Sequence, residues 1–136
     1  MMASAASVTR PQSFLAFDFS LRRVGVASGN TLTGHAQPLR TLRSEGELRF
    51  AAIGALIHEW QPDALVVGVP CHPDGAPHDN TARAQRFARQ LRGRFRLPVH
   101  EVDERWTTTA AAEAGARDLD AAAAALILEQ FLGEFR

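Results

Sequence analysis

A mixed α/β domain, with one sheet covered by helices, is the fold class this sequence predicts. Three observations carry it. Short apolar runs separated by turn residues fill the first third of the chain, and helix-period and strand-period segments alternate after residue 45. Residues 64–69 then form an unbroken apolar run, typical of a strand covered on both sides. Finally, 136 residues with an apolar fraction of 46% and a charged fraction of 22% suit one soluble core.

Residues 14–19 read as a buried strand and residues 24–29 as a second. The four residues between them are few enough for a hairpin, so the pair is expected to be antiparallel. Residues 36–42 form a third strand, and Pro38 within it calls for an edge position or a bulge. From Glu45 the apolar residues Phe50, Ile53, Ile57 and Trp60 recur at steps of three and four. They mark an amphipathic helix that stops before Pro62, with Trp60 expected in the core. Residues 64–69 are the fourth strand, and a Pro/Gly-rich loop follows over 70–78. A second helix spans residues 80–94, with Ala84, Phe87, Ala88 and Leu91 on its apolar face and arginines opposite. Residues 97–102 lead into a fifth strand. A short helix over 107–114 and a final one over 119–135 complete the order, the last offering Leu119, Ala123, Leu126 and Phe131 for burial. The fold expected is therefore a five-stranded mixed sheet: an antiparallel meander, then alternating helices and strands, with helices on both faces. Residues 1–12 are read as a disordered tail and 13–136 as one domain.

No apolar run reaches the roughly 18 to 20 residues of a membrane span, and the first residues lack the pattern of a secretory signal. A single cysteine, Cys71, excludes an internal disulfide and fits a reducing cytoplasm. Fifteen basic residues balance fifteen acidic ones, so overall charge gives no support to nucleic-acid binding. All fifteen basic residues are arginine, and six of them, Arg83, Arg86, Arg89, Arg92, Arg94 and Arg96, fall within fourteen positions. The absence of lysine is read as codon bias, and the arginine helix face as a solvated surface. Cys71, His72 and His78 match no common zinc spacing, and Trp106 is read as core.

Three acids carry the functional signal. Asp18 closes an apolar strand, Glu104 follows the fifth strand, and Asp120 heads an alanine-rich helix. An acid on a central strand is costly unless its charge is compensated. Three converging carboxylates would suit a hard divalent cation and metal-assisted phosphodiester hydrolysis. Local alternatives stand beside two of them. Asp103 adjoins Glu104, and Asp118 competes with Asp120, since either aspartate could cap the last helix. Thr107 and Thr108 could cap the helix after the fifth strand, whose N-terminus would favour a phosphate.

The order of elements and the placement of the acids resemble the ribonuclease H-like fold, and the motifs narrow this further. Asp18-Phe19-Ser20-Leu21-Arg22-Arg23-Val24-Gly25 resembles the Asp-Tyr-Gly-x-Lys-Arg-Ile-Gly signature of the YqgF/RuvX family. Val67-Gly68-Val69-Pro70 with Asp74-Gly75, Asp103-Glu104-Arg105-Trp106-Thr107-Thr108, and the run from Asp120 to Glu129 resemble its other three motifs, in family order. Two departures are plain. Ser20 stands where the family usually has glycine, and the segment 109–119, often longer and basic in the family, holds only Arg117.

The resemblance implies a cytoplasmic bacterial nuclease with Asp18, Glu104 and Asp120 as catalytic metal ligands, Asp118 being left as the helix cap. It implies two Mg²⁺ or Mn²⁺ ions, with Arg22, Arg23, Arg105, Thr107 and Thr108 contacting the nucleic acid. Processing of the 5′ end of precursor 16S ribosomal RNA in ribosome biogenesis is the leading function. A Holliday junction resolvase acting on branched DNA is one alternative, and a non-catalytic binding module in ribosome assembly is another. The partners expected are structured RNA or branched DNA and no membrane, for a monomer or weak homodimer.

Overall fold

The structure, a computed structural model, describes residues 10–70, 80–104 and 118–134. Ser13–Phe19 (β1) is the middle strand of a five-stranded sheet. Val24–Asn30 (β2) and Ala36–Leu42 (β3) extend the sheet on one side as an antiparallel meander. Ala64–Pro70 (β4) and Val99–Glu104 (β5) extend it on the other, both parallel to their neighbours, giving the order β3-β2-β1-β4-β5. Gly46–Trp60 (α1), Thr81–Phe95 (α2) and Leu119–Gly133 (α3) are the helices. Pro38 meets both of its expected conditions. It sits on the edge strand β3, and the β2–β3 register slips beside its partner Ala27.

Strand alternation splits β1 between two cores. Leu15 and Phe17 join Phe50, Ile53 and Leu56 of α1 and Phe87, Ala88 and Leu91 of α2. Phe14 and Ala16 turn to the opposite face, where Ile127, Leu128, Phe131 and Leu132 of α3 cover them. Helices therefore cover both faces, and each fully buried large apolar side chain contributes about 1.5–3 kcal/mol. Part of the surface beneath α3 is made of small residues. Ala27 packs against Ala124 and Ala125, which lets this helix lie close to the sheet.

Two burial expectations fail outright, and Leu126 is only half-buried. Trp60 is 38% exposed. It lies seven residues, about 10 Å, beyond Ile53 along the helix, where the apolar face has run past the core into a cleft with Ser13, Phe14 and Pro62. Leu119 is 42% exposed because it starts α3 at the solvent end, and Ala121, Ala124, Ile127 and Leu128 take the inward positions. Among the described residues, no helix is long and apolar enough to cross a membrane.

Candidate active site at the carboxyl end of the parallel strands

Asp18 occupies the next-to-last position of β1, on the same face as Phe14 and Ala16. Its neighbours across the sheet are both glycine: Gly25 on β2 and Gly68 on β4. Neither glycine is there for conformational freedom. A Cβ on Gly25 would lie 1.9 Å from the backbone oxygen of Asp120, and one on Gly68 would lie 2.3 Å from Cδ1 of Ile127. The two bare positions let α3 descend onto the sheet on either side of Asp18.

Glu104 ends β5, paired with Pro70 of β4. Its Oε2 lies 3.1 Å from the point a Gly68 Cβ would occupy, so the carboxylate reaches over the bare backbone towards Asp18 and the two side chains share a hydrogen bond. Asp103 is exposed, and alternation turns it to the other face. On α3, Asp118 is the N-cap: its Oδ1 accepts from the Ala121 amide at 3.2 Å and from the Thr41 hydroxyl. Asp120 lies one step into the helix, and Arg23 Nε donates to its Oδ2 at 2.9 Å.

Electrostatics follow from this crowding. Burial, then the charge and hydrogen bond of Glu104, then the charge of Asp120, push the Asp18 carboxyl from its ordinary 3.8 up to about 9, against the opposing pull of Arg23. At neutral pH the Asp18–Glu104 pair therefore holds a proton between its oxygens, the expected response of two carboxylates that cannot both ionise. The all-oxygen donor set is the chemistry preferred by Mg²⁺ or Mn²⁺, and a dication would relieve the same repulsion that the proton relieves. Among the described residues, however, no three acid, histidine or cysteine side chains are gathered as a ready-made cage. Asp120 is turned to Arg23 instead.

The turn that carries Arg22 and Arg23 is tied at both ends. Ser20, in the position where glycine is usual, donates its hydroxyl to the Arg23 carbonyl at 2.8 Å, and its amide donates to the same oxygen at 2.9 Å. Its φ is not positive, so serine substitutes without backbone strain and adds a bond. From below, the buried Arg49 donates Nη2 to the Leu21 carbonyl at 2.9 Å and Nε to the Ser44 carbonyl at 3.0 Å. Its guanidinium stands 5.6 Å from the Phe19 ring centre. Replacing Arg49 by Met is expected to destabilise the fold by about 1–3 kcal/mol, since two carbonyls lose a charged donor. An unchanged urea midpoint would show that the clamp is idle.

Arg105, Thr107, Thr108 and Trp106, with the Cys71–His72–His78 loop, lie outside the described residues. Arg22 and Arg23 are both exposed, and Arg23 reaches the site through Asp120. Sequence reasoning missed Gly25, Gly68 and Arg49. Isolated glycines in apolar strands are a recognised sign of close backbone approach, so the first two were findable. Nothing in the spacing marked Arg49. An open cleft of about 410 Å³ lies at the opposite end of β1, bounded by Ser13, Phe14, His35, Trp60 and Pro62, and none of the described residues lining it is an acid. The acids instead cluster outside the carboxyl ends of β1, β4 and β5, where open α/β sheets bind their ligands.

Comparison with known proteins agrees with this architecture. A family model described as RuvX, Holliday junction resolvase, matches residues 12–134. A protein of Albidiferax ferrireducens named "Putative pre-16S rRNA nuclease" is 65% identical over 121 residues, covering 89% of this chain and 78% of its own length. Proteins of the same name from Polaromonas sp. and Burkholderia pseudomallei are 63% and 52% identical, over 89% and 94% of this chain and 88% and 92% of theirs. Among solved structures, T. thermophilus RuvC in complex with a Holliday junction substrate superposes with a TM-score of 0.58 at 12% identity, covering 90% of this chain and 95% of that one. The Fowlpox virus resolvase in complex with Holliday junction DNA gives 0.56 at 6% identity, covering 90% and 98%. At such identities the likeness is one of fold, the ribonuclease H-like arrangement of sheet and helices.

Proposed function

Because the chain belongs to the RuvX Holliday junction resolvase family, a family of nucleases, we propose that it is a metal-dependent endonuclease acting on the 5′ end of precursor 16S ribosomal RNA. What supports this reading is the Asp18–Glu104 carboxylate pair at one end of the sheet, with the charge of Asp120 near enough to help push the Asp18 carboxyl up to about 9. Asp18 and Glu104, with Asp120 once it leaves Arg23, would hold two Mg²⁺ or Mn²⁺ ions. Bound there, the ions would supply a water nucleophile at neutral pH and neutralise charge on the leaving oxygen.

The chain's own groups do the rest. Glu104 and Asp18 fix the position of the reacting centre through the rigid ends of β1 and β5. Arg22 and Arg23 hold the phosphate backbone, and the Ser20 and Arg49 clamps keep their turn in place. Arg23 also changes partner in this reading. It neutralises Asp120 in the free protein at 2.9 Å, and would be free to meet a substrate phosphate were that carboxylate to hold a cation. Arg105, Thr107 and Thr108 complete the phosphate contacts by family resemblance. A cytoplasmic monomer or weak dimer suits an enzyme that meets nascent ribosomal RNA.

Relatives at 52–65% identity bear the ribosomal RNA name, which supports RNA over DNA. The family description supports the second reading, resolution of four-way DNA, which requires a dimer to cut two strands together. The deciding experiment incubates the wild-type protein with a precursor 16S fragment and a four-way junction, with Mg²⁺, Mn²⁺ or EDTA. RNA cleavage dependent on the cation is expected. Junction cleavage by a dimer would transfer the assignment to DNA, and failure on both would leave a binding module.

A further inference from the structure

The neutral overall charge conceals a strongly polarised one. Residues 81–96 hold six of the fifteen basic residues and none of the fifteen acids, so acids outnumber arginines over the rest of the chain. Their being arginine reflects the absence of lysine throughout. Their placement does not follow from that.

Two of the six are used structurally. Arg92 bonds Glu101 at 3.2 Å and the Val99 carbonyl at 2.9 Å. Arg94 pairs with Glu47 at 2.5 Å and lies 4.0 Å from the Phe50 ring centre. The remaining four differ. Among the described residues, Arg83, Arg86, Arg89 and Arg96 have no acidic partner, and Arg83 bonds only the neutral amide of Asn80 at 3.1 Å. All four are exposed.

Arg83, Arg86 and Arg89 follow each other at steps of three along α2, forming one slanted exposed ridge that starts beside Phe87 at Arg83 and turns away from the buried stripe at Arg86 and Arg89. Like charges at this spacing repel and weaken a helix. No acid is interleaved to relieve them, although α1 and β5 supply one each to Arg94 and Arg92. The ridge rises about 9 Å, the span of about three phosphates along one strand of a duplex.

Its position matters as much as its charge. The Thr81 hydroxyl donates to the Pro70 carbonyl at 2.5 Å, and Pro70 is the register partner of Glu104. The ridge therefore begins at the end of the sheet where the acids gather, on the opposite face from them, and runs away from that end.

We propose that the exposed face of α2, through Arg83, Arg86 and Arg89, is a second backbone-binding surface that holds a duplex arm of the nucleic-acid substrate flanking the cleaved phosphate. The proposal rests on the nuclease reading above for the identity of the polyanion. Guanidinium groups on a ridge contact phosphates without reading sequence, so this surface contributes affinity and orientation.

The test measures binding in EDTA by fluorescence anisotropy across a KCl series, with an RNA hairpin duplex and a four-way DNA junction as probes. The wild type is compared with the triple variant Arg83→Gln, Arg86→Gln, Arg89→Gln, and with Arg10→Gln at the far end of β1. Glutamine matches arginine in helix propensity, and circular dichroism checks that α2 is intact. The triple variant is expected to bind at least tenfold more weakly in low salt. The slope of log K against log salt should fall by about two to three, as expected for three lost contacts, while Arg10→Gln leaves both unchanged. The probe that shows the change identifies the sugar. An unchanged slope in the triple variant overturns the surface, as does failure of the wild type to bind either probe. Cation-dependent cleavage by the wild type is scored separately, so the surface and the nuclease reading fail independently.

Discussion

Asp18→Asn is expected to abolish cation-dependent cleavage, lowering the rate by about a thousandfold or more, equivalent to ~4 kcal/mol of transition-state stabilisation. The substitution keeps the shape of the side chain and removes the one carboxylate that faces both Glu104 and Asp120. The same variant should be more stable than the wild type without metal, and the sign is fixed by the titration of Asp18. In the unfolded chain this group loses its proton near 3.8, and in the folded chain only near 9. Between those values the folded state holds a proton that the unfolded state has released. Wild-type stability therefore falls as pH rises through this window, by at most about 1.4 kcal/mol per pH unit for one group. It is unaffected by Asp18 below the window and levels off above it. The asparagine variant lacks this slope, so its advantage should widen from pH 5 to pH 8 and shrink when Mg²⁺ is added to the wild type. Urea titrations at several pH values measure this. Parallel stability profiles for the two proteins would mean that Asp18 carries no such strain, and residual full activity would remove it from catalysis.

The second large effect is expected at a residue with no chemistry of its own. Gly25→Ala places a methyl group 1.9 Å from the Asp120 carbonyl oxygen and 2.8 Å from the Ala121 amide nitrogen. Both are backbone atoms at the start of a helix, so neither can rotate away. The first turn of α3 must lift from the sheet, and overpacking of this kind costs about 3 kcal/mol or more. That displacement separates Asp120 from Arg23 and from Asp18 at once, and a shift of about 1 Å in a catalytic group lowers rates about a hundredfold. Gly93→Ala is the matched control. It lies in α2 with nothing within 4 Å of the added methyl, and should gain up to about 1 kcal/mol from helix propensity. Thermal melts of the two variants should move in opposite directions. If Gly25→Ala melts with the wild type, α3 does not rest on the strand as described.

The clamp around the β1–β2 turn connects these results. Ser20 fastens the turn to itself and Arg49 fastens it to α1, so that Arg23 reaches Asp120 from a fixed base. The site is thus braced from three directions: the strand ends under Asp18 and Glu104, the helix resting on Gly25, and the buried guanidinium under the turn.

Much of this was legible in the sequence, for local reasons. The five strands and three described helices follow from apolar periodicity and from Pro and Gly punctuation, which act over a few residues. The special status of Asp18 could be read from its place at the end of an apolar strand, and the order of motifs indicated the family. Choices that depend on distant neighbours were not legible. Local sequence leaves Asp118 and Asp120 equivalent as caps, and it is the resemblance that assigns the cap to Asp118, where the structure places it. In the fold they part because Thr41 and the Ala121 amide claim the first, and Arg23 claims the second. Trp60 satisfies the helix period yet lies beyond the core, since periodicity gives a side chain's direction and not how far the sheet extends beneath it. Arg49 looks like any surface arginine until a turn 28 residues away offers its carbonyl. Local pattern was enough for the described strands and helices, for their faces and for the acids. Tertiary structure alone decided which acids share a proton, which one is held by an arginine, and which glycines must stay bare, because charge repulsion and close packing act between residues that only folding brings together.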